Sequence, residues 1–162
     1  MIYLYHYKQE MVNMGDENLE YEDEEEKELD LTALVKLLEE KEVAHTALEL
    51  DRESMVNVYR FVMRYITRYQ KSVCRVLMTL KPAGERKAAD ANSVGDSFEK
   101  HICNSLRKSD LVFRHGRDQF FVMLIDIKED SIYRVIESVV SEWKEKHPDI
   151  NVNCELQYTY FG

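Results

Sequence analysis

Apolar residues along this chain follow two rhythms, one with the period of a helix and one with the period of a strand. From Asp51 the helical rhythm is clear: Met55, Val58, Tyr59, Val62, Met63, Ile66 and Tyr69 share one face of a long helix. Val73 to Leu80 follows as an apolar block and predicts a buried strand. Lys81 to Ala91, with Pro82 and Gly84, predicts a loop. Val94, Phe98, Ile102 and Leu106 recur at i+4 spacing, predicting a second helix. Leu111 to Arg114 and Gln119 to Ile127 predict two strands joined through His115-Gly116-Arg117-Asp118, with Gly116 supplying the positive φ of a tight hairpin. Ile132, Val135, Ile136, Val139, Val140 and Trp143 form the strongest helical stripe, which must close before Pro148. Asn151 to Tyr160 predicts a last strand.

The first fifty residues are less regular. Asp30 can cap a helix carrying Leu31, Leu34, Val35 and Leu38. Residues 43–50 are short and ambiguous. Met1 to Gln9 alternates Ile2, Leu4 and His6 with Tyr3, Tyr5 and Tyr7. That pattern suits an edge strand, a strand lent to a partner, or a loose end. Two regions result: residues 1–28, a strand-like piece with an acidic linker, and a single domain over 29–162. The domain's core order is β-α-β-β-α-β behind an extra leading helix. This predicts an α+β, ferredoxin-like or palm fold, with a mostly antiparallel sheet and helices packed on it. Unrelated proteins share this plan, so it does not by itself assign a function.

Charge changes the picture in one place. The net charge is −9, yet ten acidic residues and one lysine lie between Asp16 and Asp30. That segment accounts for the whole imbalance, repels itself, and reads as a solvated linker or an acidic docking tail. The balanced remainder does not favour direct nucleic-acid binding. No apolar run approaches the roughly 18 residues of a membrane span, and the N-terminus lacks a secretory pattern. Cys74, Cys103 and Cys154 are odd in number and form no C-x-x-C, as expected of buried thiols in a reducing cytoplasm. His6, His45, His101, His115 and His147 show no ligand spacing, and the five glycines build no phosphate loop.

The stretch Arg107-Lys108-Ser109-Asp110-Leu111-Val112-Phe113-Arg114-His115-Gly116-Arg117-Asp118-Gln119-Phe120 resembles the signature of the diguanylate cyclases, the GGDEF family. That signature reads RxxD, then an Arg, then G-G-[DE]-E-F on the hairpin between the two middle strands. The resemblance covers about residues 50–160 and implies the family's fold. It also implies that catalysis is lost, because the five signature positions read Gly116, Arg117, Asp118, Gln119 and Phe120. Arg117 stands where substrate needs close backbone approach, and Gln119 cannot carry charge or act as a base. Family members hold Mg²⁺ with a carboxylate at the end of the first strand; Val76 to Lys81 offers Thr79 and Lys81 instead. Asp118 would be a weak metal candidate alone, with a turn residue as its plainer reading. Mg²⁺ is therefore expected only if the chain is a divergent active cyclase. Gly95-Asp96 looks like the family's guanine-reading pair but lies about one helical turn too close to Arg107. Ungapped counting puts Asn92 there, and Asp96 is then expected to be a first-turn acid.

Arg107 and Asp110, with Arg114 as a possible helper, match the family's product-inhibition site and imply cyclic di-GMP binding. The alternative is a helix-end Arg beside a turn Asp, a surface pair of little energy. The expectation is thus a cytoplasmic, bacterial signalling module, catalytically inactive, that works through a protein partner or a homodimer. A cyclic di-GMP receptor and a divergent cyclase are the alternatives.

Overall fold

A computed structural model describes residues 30–39, 42–83 and 91–162. The strand-like pattern at Met1–Gln9, the acidic run 16–28, the boundary at 28/29 and residues 84–90 of the expected loop lie outside the described residues. The chain divides into Met1–Glu39 and Glu40–Gly162. In the first unit, helix α1 spans Leu31–Leu38. Asp30 caps it as expected, its Oδ1 accepting from the Ala33 N–H at 2.8 Å.

The second unit is built on a five-stranded sheet. Its elements are β1 (Leu48–Leu50), α2 (Arg52–Tyr69), β2 (Val73–Pro82), α3 (Ala91–Ser105), β3 (Leu111–Arg114), β4 (Gln119–Ile125), α4 (Glu129–Lys146) and β5 (Val152–Phe161). The strand order is β1-β3-β4-β2-β5. β2 pairs antiparallel with β4 and β5, β3 pairs antiparallel with β4, and β1 runs parallel to β3. The split β-α-β-β-α-β order is present, and the sheet is mostly antiparallel.

Side-chain alternation divides the core into two layers. Even positions of β2, among them Cys74, Val76 and Met78, join Val112, Val122 and Leu124 beneath α3 and α4. An aromatic chain ties this layer together. Trp143 of α4 meets Phe98 of α3 edge-on at 5.0 Å, and Phe98 meets Phe120 of β4 at 5.2 Å. Such pairs add about 0.5–1.5 kcal/mol each beyond burial. The opposite face carries Val73, Leu111 and Met123, covered by Met55, Val62 and Ile66 of α2. Helix α2 starts at Asp51, whose carboxylate accepts from Ser54 N–H at 2.7 Å. It stops at Gln70, held in the left-handed region at φ 51°.

Three expectations need adjusting. Residues 43–50 contain β1, whose short apolar content hid a strand stabilised by parallel pairing with β3. β2 runs on to Pro82, opposite Val152, where its missing N–H falls at the strand end. Gly116 does not adopt a left-handed φ, and a Cβ there would meet nothing within 4 Å. The hairpin closes through a His115 N–H to Gln119 C=O bond of 2.9 Å instead.

Candidate functional site

The hairpin presents residues 115–118 at one end of the sheet, where α3 crosses it. Arg114, the last residue of β3, organises this corner. Its Nε donates to Gly116 C=O at 2.8 Å and its Nη2 to Arg117 C=O at 3.0 Å. Its Nη1 donates to Asp96 at 2.5 Å and to Glu99 at 3.2 Å, both on α3. The guanidinium also lies 5.5 Å from the centre of the Phe120 ring. One cation thus fastens the turn's backbone to the helix. Burial and the neighbouring Glu49 push Glu99 above the usual carboxylate range, against the pull of Arg114.

The close approach depends on Gly95. A Cβ at that position would collide with the Arg114 guanidinium and lie 2.5 Å from Arg117 C=O. The side chain that closes the gap between turn and helix is therefore Arg114, and the glycine that matters is Gly95, not Gly116. Asp96 does not lie in the first turn of α3 as expected, and its carboxylate is held by Arg114 rather than by the helix dipole.

The signature positions divide by role. Phe120 is fully buried in the aromatic chain. Gly116, Arg117 and Asp118 are exposed on the turn. Strand register sets Thr79 directly opposite Gln119, and the Gln119 amide donates to the Thr79 hydroxyl at 3.5 Å. Both members of this cross-strand pair are neutral. Lys81, two residues on, is held by Glu155 at 2.7 Å. Among the described residues no group of three His, Cys, Asp or Glu side chains could hold a metal ion. Hard divalent cations need several oxygen ligands with carboxylates among them. Among the described residues, an exposed Asp118 beside a neutral pair does not fit Mg²⁺.

Arg107 and Asp110 meet at the other end of β3, so the structure does not bring Arg114 to them. Asp110 is 1% exposed. Its Oδ1 accepts from Ile125 N–H at 3.0 Å and from Arg107 Nη2 at 3.4 Å. Its Oδ2 accepts from Arg107 N–H at 3.0 Å and from Arg107 Nε at 3.4 Å. Arg107 Nη2 also donates to Ile125 C=O at 3.0 Å. The pair closes the α3–β3 turn and finishes the end of β4. The Arg107 side chain remains 57% exposed.

Among the described residues, neither the cysteines nor His101 is poised as a nucleophile or base. Burial raises Cys74 and Cys154 to about 11 and Cys103 to about 12, so none is a thiolate near neutrality. His101 is buried between α3 and α4, its Nε2 2.9 Å from Val139 C=O, and desolvation holds its pKa down. Among the described residues no helix is long and apolar enough to cross a membrane. The sequence pattern missed Glu49 and Glu99 and singled out Gly95 for a different reason, because β1 was not recognised and nothing in spacing tells that Arg114 turns toward α3.

No family model matches this sequence, and no curated protein matches it. Solved structures do. A DGC protein from Thermotoga maritima superposes with a TM-score of 0.57 at 10% identity, over 68% of this chain and 80% of that one. The active GGEEF domain of a diguanylate cyclase from Vibrio cholerae gives 0.52 at 10% identity, over 69% and 76%. The GGDEF domain of DgcB from Caulobacter crescentus, in complex with c-di-GMP, gives 0.52 at 8% identity, over 69% and 70%. The likeness is one of fold: residues of the second unit adopt the GGDEF-domain architecture.

Proposed function

We propose that this chain is a catalytically inactive GGDEF-fold module that serves bacterial signalling in the cytoplasm through contact with a protein partner or a second copy. The observation that carries the reading is the neutral Thr79–Gln119 pair beside the signature turn. Condensing two nucleoside triphosphates develops charge on the reacting phosphates, which bound metal ions must neutralise. A hydroxyl and a carboxamide supply no such charge, and Asp118 alone replaces neither ligand. The hairpin's tie to α3 through Arg114 agrees with this reading, since it fills the gap between turn and helix with protein.

Incubation with GTP and Mg²⁺ or Mn²⁺, followed by ion-exchange chromatography, should show no cyclic di-GMP above a no-protein control. Product that disappears in Asp118→Ala would overturn the proposal.

A cyclic di-GMP receptor is the second reading. The exposed Arg107 guanidinium and the ligand named for the Caulobacter crescentus structure favour it. The burial of Asp110 weighs against it, because both carboxylate oxygens already accept two bonds. Calorimetric titration with cyclic di-GMP separates the readings. Binding that Arg107→Ala weakens about ten-fold or more supports a receptor; no heat at either protein supports the interaction module.

A further inference from the structure

We infer that β5 is a self-association edge, at which a second copy of this chain pairs its own β5 antiparallel and joins the two sheets into one. The inference rests on the interaction-module reading and narrows its partner to a second copy. β5 is the outer strand of the sheet, and among the described residues only β2 pairs with it. It runs for ten residues, Val152–Phe161. Each of them faces one residue of β2 in unbroken register, from Val152 opposite Pro82 to Phe161 opposite Val73, without a bulge. Its outer side therefore presents a regular row of backbone N–H and C=O groups.

Sheet edges are commonly blunted by short strands, by Lys, by Pro or by bulges. The opposite edge follows that rule, since β1 has three residues. β5 does not. It contains no Lys, Arg or Pro. Its one charged residue, Glu155, is held by Lys81. Val152, Cys154 and Tyr160 pack against the core beneath α3 and α4. Leu156 and Tyr158 alternate onto the same face but remain 41% and 57% exposed, although Met78 and Val76 opposite them in β2 are buried. The exposure thus arises at the edge, where a neighbouring strand would lie.

The sequence of β5 suits two-fold pairing. Side chains alternate along a strand, so in a two-fold antiparallel pair even positions meet even positions. The apolar row Cys154, Leu156, Tyr158 and Tyr160 then continues across the seam. The polar row Asn153, Glu155, Gln157 and Thr159 continues across it on the other face. Centred on Gln157, the register sets Leu156 against the second copy's Tyr158 and Glu155 against its Thr159. Aromatic–aliphatic pairs of that kind favour a sheet, and no like charges meet. The joined sheet ends on a short β1 at both sides, so the contact closes as a dimer and does not propagate.

Sedimentation velocity of the full chain across micromolar concentrations should show a monomer–dimer equilibrium. Tyr158→Lys places a charge on the edge and should weaken dimerisation about ten-fold or more. Phe61→Lys, on the exposed face of α2, should leave it unchanged. Gln157→Cys reads the register, because facing Cα atoms at the two-fold lie about 4.5–5.5 Å apart, within disulfide reach. Mild oxidation should link Gln157→Cys chains into covalent dimers, and should not link Asn153→Cys chains or the unaltered chain. A monomer at every concentration, a dimer indifferent to Tyr158→Lys, or linking no greater at 157 than at 153 would each overturn the pairing. Slow hydrogen exchange at the outward β5 amides of a monomer would assign the edge to a different occupant and equally overturn it. A monomer that makes no cyclic di-GMP loses the β5 contact and keeps the inactive-module reading. A β5-linked dimer that makes product loses that reading and keeps the contact.

Discussion

Gly95→Ala tests whether the signature hairpin is locked to α3. In an exposed helix interior this substitution stabilises by about 0.8–1 kcal/mol, because alanine loses less backbone entropy. Here Gly95 is buried, and the new methyl would strike Arg114 and lie 2.5 Å from the Arg117 carbonyl. The guanidinium can swing away, at the expense of its bonds to Asp96 and Glu99. The carbonyl belongs to the backbone of the turn and moves only with the hairpin. Overpacking of this kind costs about 1–3 kcal/mol, and the partly exposed ion pairs add up to about 1 kcal/mol. The balance is a net destabilisation of about 1–2 kcal/mol, opposite in sign to the propensity effect. Urea unfolding at pH 7, followed by far-ultraviolet circular dichroism, measures it directly. The melting temperature should fall by roughly 2–4 °C per kcal/mol for a domain of this size. In an Arg114→Ala background the same substitution should cost about 1 kcal/mol less, since one of its two collisions is gone. A Gly95→Ala protein more stable than the original would refute the locked corner.

Asp110→Ala should destabilise by about 2–4 kcal/mol, because it removes a buried carboxylate and strands the part-buried N–H groups of Arg107 and Ile125; the same urea assay checks it, and a loss under 1 kcal/mol would contradict a structural role. Gln70→Gly should stabilise by about 0.5–1 kcal/mol, since glycine adopts the left-handed cap at φ 51° without strain; a lower urea midpoint would show that the Gln side chain matters. His101 has a folded pKa below its ordinary value of 6.5, so the unfolded chain binds the extra proton. Stability is therefore present above that value and falls as the pH drops through and below it, by at most about 1.4 kcal/mol per pH unit; His101→Gln should flatten this part of the melting-temperature profile, and an unchanged profile would assign the slope elsewhere.

Most of the fold was legible because strand and helix periods differ and the segments are long. Val73 to Leu80, Phe98 to Leu106 and the Ile132–Trp143 stripe each hold a single rhythm long enough to be unambiguous. β1 was not legible for the opposite reason. Leu48-Glu49-Leu50 is too short to show a period, and its stability comes from β3, distant in sequence. Gly116 misled because a glycine in a turn suggests positive φ, whereas this hairpin reaches its shape through the carbonyls that Arg114 gathers.

The site illustrates a sharper limit. Arg-x-x-Asp at the end of a helix is the spacing that puts a guanidinium beside a carboxylate, and ligand binding and turn closure need that same spacing. Sequence therefore left both readings of Arg107 and Asp110 standing. What separates them is solvent access. A carboxylate that reads a guanine must keep free acceptors facing outward, while one that closes a turn spends them on backbone N–H groups. Asp110 spends them on Arg107 and Ile125. Arg114, which joined the same pattern in sequence, works at the opposite end of β3 with acids the pattern never included. In the structure the two parts of the signature are separate, Arg107 with Asp110 at one end of β3 and Arg114 holding the hairpin at the other. Both devices serve the fold itself: each ties backbone at one end of β3, apart from the neutral Thr79–Gln119 pair.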